Sequence, residues 1–202
     1  MIGASRRGPV GRVFLGSTGD RLLADAGFPV ALAPLGYADR AVTDLRLIGL
    51  AYDGSPEAKR AAAVAVALAR RACAPLRAFG VREPLSASPA AEGLVGLGGK
   101  QAHAALERDL DELLSKLPPA VGGQKVILEG DPAAALLAQG SYAWDLLVLG
   151  SHGFGRLLRT AGASVTSTVA RSARWPLIAV PPSGPVHLVD PRDAGTMVSR
   201  GA

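Results

Sequence analysis

Apolar residues along the chain form short continuous runs that alternate with longer stretches of helical spacing. The runs predict five β-strands, at residues 42–52, 76–81, 125–129, 145–149 and 176–180. The fourth run contains four successive apolar residues after Asp145, which is typical of a parallel strand buried on both faces.

The stretches of helical spacing begin after residues that cap helices. Ser55 precedes a helix predicted at 58–72, Asp131 precedes one at 133–139, and Ser164 begins a third. Such side chains accept hydrogen bonds from the free amides of a first helical turn. A further helix is predicted at 100–117, after a segment at 84–99 whose Gly, Ser and Pro content indicates a flexible loop.

Strands that alternate with helices predict the α/β class, with an open, mostly parallel five-stranded sheet and helices on both faces. This is a Rossmann-like arrangement. Right-handed crossovers place the strand-to-helix loops at one edge of such a sheet, where ligands bind. Two loops at that edge hold the residues of interest, 51–55 and 150–166.

Residues 3–34 and 150–181 align without a gap at an offset of 147 positions, with Gly3 on Gly150 and Pro29 on Pro176. An offset of about one domain length predicts two related units in tandem, of which the first is represented only by its closing part. We therefore expect a partial unit and linker at 1–40, a complete unit at 41–182 and a disordered tail at 183–202.

Composition excludes several classes of protein. The net charge of +5 comes from arginines scattered along the chain rather than from a basic run interleaved with aromatics, so no nucleic acid is expected as a partner. The longest apolar stretch, 61–69, is too short to span a bilayer, so we expect a cytoplasmic protein without membrane contact. A single cysteine, Cys73, allows no disulfide framework and is expected as a buried thiol.

The loop after the fourth predicted strand has the residue types of an anion site. Gly150-x-x-Gly153 is followed, after nine residues, by Ala163-Ser164 at the start of a helix. Glycines allow close backbone approach, and the free amides and dipole of a helix N-terminus favour a phosphate. Alone this is a weak signal, and no Gly-Lys-Ser/Thr follows that would make it a P-loop.

Several motifs in order make the assignment specific. They are the glycine loop with its serine, Tyr52-Asp-Gly-Ser after the first strand, Glu129-Gly-Asp-Pro after the third, Trp144-Asp-Leu-Leu-Val before the loop, and a Pro-led last strand. Residues 43–182 thus resemble one whole domain of the universal stress protein family, and residues 3–34 resemble its closing part. The resemblance implies an adenine-nucleotide-binding regulatory protein of the stress response.

The same resemblance implies where ATP or AMP, with Mg²⁺, would bind. Adenine and ribose would lie at the ends of the first two strands, and the phosphates would lie on the glycine loop. The implied residues are Ala51, Tyr52, Asp53, Gly80, Val81, Leu149, Gly150, His152, Gly153, Ala163, Ser164 and Val165. Asp53 also has a structural interpretation, as a turn or helix-capping carboxylate.

Ala163 departs from the family pattern, which has its third glycine there. A methyl group at this position crowds the phosphates, or costs about 1 kcal/mol if the backbone requires a positive φ. The alternative function is therefore a nucleotide-free dimerisation or interaction module of the same family.

We expect no enzymatic function and no structural metal. The three histidines, His103, His152 and His187, lack metal-ligand spacing, and no nucleophile-elbow sequence surrounds Ser164. Catalytic residues are therefore not assigned, although a slow ATPase activity remains compatible with the sequence.

Residues 28–33 form an apolar strand without a domain behind it, and such an edge must be covered. The resemblance implies antiparallel pairing of last strands across a dimer. We expect residues 28–33 to pair with 177–180, either within the chain as a pseudo-dimer or between the chains of a homodimer.

Overall fold

The computed structural model describes residues 2–3, 23, 26–39, 44–83, 95–140, 143–151 and 164–184, which contain one seven-stranded sheet. Its strands are β1 (Ile2–Gly3), β2 (Val30–Ala33), β3 (Ile48–Ala51), β4 (Leu76–Arg82), β5 (Gly123–Glu129), β6 (Leu146–Gly150) and β7 (Leu177–Val180). The order across the sheet is β1-β2-β7-β6-β3-β4-β5.

The five strands β3 to β7 pair parallel with one another, which confirms the predicted α/β class and mostly parallel sheet. β3 lies between β4 and β6, so the order of the strands reverses at this point. Both β3 and β6 are buried at every position. The loops that leave their carboxyl ends border the crevice in which doubly wound sheets bind ligands.

Within the described residues, four α-helices cover the two faces of the sheet. They are α1 (Pro56–Ala72), α2 (Val95–Ser115), α3 (Pro132–Ala138) and α4 (Val165–Ser172). Residues of α1 and α2 pack with Leu50 and Val148 in one apolar cluster, and residues of α3 and α4 pack with Leu147 and Leu149 in the other. None of these described helices is both long and apolar enough to cross a membrane.

The capping residues predicted from the sequence are confirmed. The side chain of Ser55 accepts from the Ala58 amide at 3.1 Å, that of Asp131 from Ala134 at 2.8 Å, and that of Ser164 from Ser167 at 3.1 Å. The helix begins at the next residue in each case, with proline first in α1 and α3.

The predicted boundaries need correction at three elements. β3 begins at Ile48 rather than at residue 42, because the Arg46 and Leu47 amides donate to the Asp145 carboxylate at 2.7 and 2.9 Å rather than to a neighbouring strand. α2 begins at Val95, inside the predicted loop at 84–99, and ends at Ser115. β5 begins two residues early, at Gly123, where the missing side chain leaves room for Leu117 and Leu114, whose atoms lie 2.6 and 2.9 Å from the Cβ position.

The early start of α2 shows why the loop prediction was wrong over residues 95–99, whereas residues 84–94 lie outside the described part. Its first turns contain three glycines, each of which costs about 1 kcal/mol relative to alanine in a helix. Apolar residues further along the helix, Leu106 and Leu110, pack in the cluster shared with α1, and this packing offsets the cost. The remaining boundaries lie within two residues of the prediction.

Cys73 is exposed, which corrects the expectation of a buried thiol. It ends α1 in the left-handed conformation, with φ of 50°, and its amide donates to Ala69 O. A residue in this position turns the chain away from the helix, so its side chain leaves the apolar face.

The N-terminal segment extends the sheet, as predicted, through antiparallel pairing with the last strand. Val30, Ala31 and Leu32 of β2 pair with Ala179, Ile178 and Leu177 of β7, within the chain. Ala31 and Ile178 are equivalent positions under the offset of 147, and they lie opposite each other at the centre of this pairing. The pairing therefore has the register of a two-fold symmetric contact between the two aligned segments.

The two copies also share a strand register. β1 pairs parallel to β2 with Ile2 opposite Leu32, and β6 pairs parallel to β7 with Leu149 opposite Ala179. Adding 147 converts the first pair into the second. β1 is thus the counterpart of the end of β6.

The segment that follows β7 is held against α1 and against the residues that precede β2. The Arg60 guanidinium donates to the carbonyls of Pro181, at 3.0 Å, and Gly184. Gly184 has φ of 97° and lies against the Gly27 carbonyl. Gly184, inside the predicted disordered tail at 183–202, therefore has a defined contact, and residues 185–202 lie outside the described part.

Candidate functional site

The described residues of the predicted site lie at the carboxyl edge of the sheet. β3 and the turn after it provide Ala51, Tyr52 and Asp53, β4 provides Gly80 and Val81, β6 provides Leu149 and Gly150, and the start of α4 provides Ser164 and Val165. His152, Gly153 and Ala163 lie outside the described residues. The topology thus brings segments that are distant in sequence to one edge.

The end of β6 is joined to the start of α4. The Thr166 hydroxyl donates to the Gly150 carbonyl at 2.6 Å, and both groups are buried. Ser164 is exposed and caps the helix, whose first amides have no acceptor within the helix. The positive end of α4 therefore faces the edge of the sheet where β6 ends.

Gly150 has a packing role that the sequence did not indicate. A Cβ atom at this position would lie 2.8 Å from Glu57 Cβ and 3.1 Å from the Glu57 carbonyl carbon. Glycine is therefore required for the close approach of β6 to α1, whatever else binds at this edge.

Tyr52 joins β3 to α2. Its hydroxyl donates to Asp109 Oδ2 at a long 3.4 Å, and only 3% of the residue is exposed. Burial and the neighbouring Asp109 carboxylate raise the pKa of the Tyr52 phenol to about 12, because both disfavour a phenolate. The side chain is thus a neutral, buried contact rather than an acid–base group.

Asp53 adopts the structural role that the sequence left open. Its Oδ1 accepts from the Ser55 amide at 3.0 Å, which forms the turn before α1. A carboxylate has further acceptor capacity, so ribose binding by Asp53 stays a prediction.

Gly80 and Val81 line the end of β4 with little side-chain exposure. A Cβ atom on Gly80 would lie 3.0 Å from Leu106 and 3.2 Å from Leu110 and Ile127, so this glycine allows α2 to pack on β4. Val81 is buried. A ligand at this position would meet mainly backbone atoms.

An open groove of about 440 Å³ lies beside α2 and contains none of the residues predicted for the nucleotide. It is lined by Arg82, His103, Ala104, Glu107, Arg108 and Asp111. Its charges are largely paired, since Arg82 contacts Glu107, and Lys125 contacts Asp111 at 2.6 Å. We therefore place the candidate site at the β3–β6 crevice rather than in this groove.

Three contributors to the edge were missed at the level of sequence: Glu57, Asp109 and Thr166. Glu57 and Asp109 have the spacing of ordinary polar helix residues, and no motif marks them. Thr166 ends the loop of interest, 150–166, but no pattern in the sequence predicts its hydrogen bond to Gly150. Within the described residues, no three His, Cys, Asp or Glu side chains are grouped as metal ligands.

Comparisons with known proteins agree with this geometry. A model of the universal stress protein family matches residues 45–181. A universal stress protein of Mycobacterium tuberculosis is 32% identical over 185 residues, which make up 88% of this chain and 60% of that protein. The chain therefore spans about 60% of the length of the curated relatives that it matches.

Solved structures show the same fold. A universal stress protein from Archaeoglobus fulgidus superposes with a TM-score of 0.62 at 20% identity, covering 90% of this chain and 62% of that chain. A universal stress protein in complex with cAMP superposes with a TM-score of 0.51 at 28% identity, covering 68% of this chain and 98% of that chain.

Proposed function

Because the chain belongs to the universal stress protein family, we propose that it is an adenine-nucleotide-binding regulatory protein of the stress response. ATP or AMP binds once per chain, at the carboxyl edge of β3, β4 and β6. The protein acts by binding, in the cytoplasm, and no residue is assigned a catalytic role.

One observation carries this proposal: α4 begins at the end of β6 with its free amides at the ligand edge. Ser164 caps the helix, and the Thr166–Gly150 hydrogen bond of 2.6 Å holds the helix start against the strand end. A helix N-terminus in this position favours phosphate. The relative that is 28% identical and contains cAMP supports a nucleotide as the ligand.

The polar groups at the edge can serve a ligand while keeping their structural roles. The Ser164 hydroxyl accepts from the Ser167 amide at 3.1 Å and donates to Ser167 Oγ at 3.2 Å. A phosphate oxygen can replace Ser167 Oγ as the acceptor, because a charged acceptor forms the stronger hydrogen bond.

Calorimetry of Ser164→Ala and Asp131→Ala with ATP and AMP tests the proposal. Each substitution removes a helix cap and costs about 1 kcal/mol of stability. We expect Ser164→Ala to weaken nucleotide binding about tenfold, the equivalent of roughly 1.4 kcal/mol. Asp131 caps α3, which follows β5, so Asp131→Ala should leave nucleotide binding unchanged.

The alternative is the nucleotide-free interaction module, for which Ala163 in place of glycine is the argument. If neither the wild type nor Ala163→Gly gives heat with ATP or AMP, the nucleotide proposal is wrong and the alternative stands. Equal loss of binding in the two cap variants would also contradict a specific role of Ser164.

A further inference from the structure

Glu57 places a buried carboxylate beside the end of β6. The residue is 9% exposed, and its Oε2 atom is inaccessible and has no hydrogen-bond partner. The other described side-chain atoms in this condition are nitrogens of Arg82, Trp144 and Trp175, so Glu57 is the one acid among them. A buried carboxylate oxygen without a partner costs several kcal/mol, which points to a missing ligand.

The fold places Glu57 at the ligand edge of the sheet. Glu57 is the second residue of α1, whose N-terminus lies at the carboxyl edge of the sheet. Helix side chains lean towards the helix N-terminus. The Glu57 Cβ atom lies 2.8 Å from the Cβ position of Gly150, where the predicted phosphate loop begins.

A carboxylate at this place opposes the binding of a free triphosphate, because two like charges repel strongly where water is excluded. A divalent cation between the carboxylate and the phosphates turns this repulsion into attraction, because each anion then faces the cation. Mg²⁺ is typically held by one or two carboxylates together with substrate phosphates and waters, rather than by a complete set of protein ligands.

We propose that Glu57 is the protein's carboxylate ligand for a divalent cation that binds together with the nucleotide phosphates. The chain then selects the Mg²⁺ complex of ATP over free ATP. The inference rests on the proposed function and adds to it the residue that holds the cation and the form of nucleotide that is bound.

Calorimetry with ATP, in EDTA and in Mg²⁺, tests the inference on the full chain and on Glu57→Gln. We expect Mg²⁺ to tighten ATP binding at least about tenfold in the wild type, a change of roughly 1.4 kcal/mol. Glu57→Gln should lose this gain and bind free ATP as tightly as the wild type or more tightly. Glu129→Gln is the matched control, since its carboxylate lies at the same edge with its side chain 83% exposed, and it should keep the gain.

The outcomes separate the two proposals. Absence of ATP binding in both buffers overturns the proposed function, whereas binding that Mg²⁺ does not improve overturns only the role of Glu57. Retention of the Mg²⁺ gain in Glu57→Gln also overturns it. Electron paramagnetic resonance of Mn²⁺ with ATP gives a second readout, because the wild type should immobilise the ion and Glu57→Gln should not.

Discussion

Gly150 illustrates how one residue can satisfy a motif and a packing requirement together. The sequence assigns it to a phosphate loop, and the structure places its Cα against the first turn of α1. The two roles predict different experimental results, because a packing defect lowers stability in the absence of any ligand.

We expect Gly150→Ala to destabilise the protein by about 1–3 kcal/mol, the usual cost of overpacking. The added methyl group would lie 3.1 Å from the backbone of Glu57, which a side-chain rotation does not relieve. Urea denaturation without nucleotide measures the effect. Gly27→Ala is the control, since a Cβ there meets nothing within 4 Å; similar midpoints for the two variants would contradict the packing role.

At the scale of elements, the Tyr52–Asp109 contact connects the central strand β3 to α2, and its pH dependence is predictable. The Tyr52 pKa is about 12 in the folded state against 10.0 for an unperturbed tyrosine. The unfolded chain therefore releases this proton first as the pH rises. The stability contributed by the neutral phenol is full below pH 10 and is lost as the pH rises towards 12.

Urea midpoints of the wild type and of Tyr52→Phe, measured from pH 9 to 12, test this prediction. Phenylalanine has no proton to lose, so the wild type should lose stability more steeply than the variant above pH 10. Parallel curves would show that Tyr52 ionises as freely in the folded protein as in the unfolded chain.

At the scale of the whole molecule, the two segments aligned at an offset of 147 differ in how their equivalent aromatic residues pack. Phe28 and Trp175 are equivalent under the offset of 147, yet Phe28 is 56% exposed and Trp175 is 4% exposed. Trp175 packs edge-to-face on Trp144, with centroids 5.3 Å apart. The two equivalent positions thus differ in burial, although the backbone pairing of β2 with β7 is symmetric.

The β2–β7 pairing predicts the behaviour of a shortened chain. Deleting residues 1–38 removes β2 and leaves the β7 backbone without its antiparallel neighbour. An apolar edge strand with unpaired backbone groups tends to pair with another chain. We therefore expect the shortened protein to dimerise through β7 or to precipitate. Light scattering after gel filtration measures this, and a soluble product of unchanged oligomeric state would contradict it.

The sequence by itself determined the local features of this protein. The capping role of Ser55, Asp131 and Ser164 and the buried run of β6 depend on a few neighbouring positions, so they can be read from the linear sequence. The repeat at an offset of 147 is found by aligning the sequence with itself. The motifs also identified the family and predicted the edge of the sheet at which a ligand would bind.

Only the tertiary structure decided the contacts between elements. It showed that Gly150 makes room for α1, that Asp109 reaches Tyr52, and that Glu57 is buried without a partner. It also placed the start of α2 at Val95 and showed that Cys73 is exposed to solvent. Each of these depends on which surfaces meet after folding, and hydrophobic spacing along one segment carries no information about a neighbour that is distant in sequence.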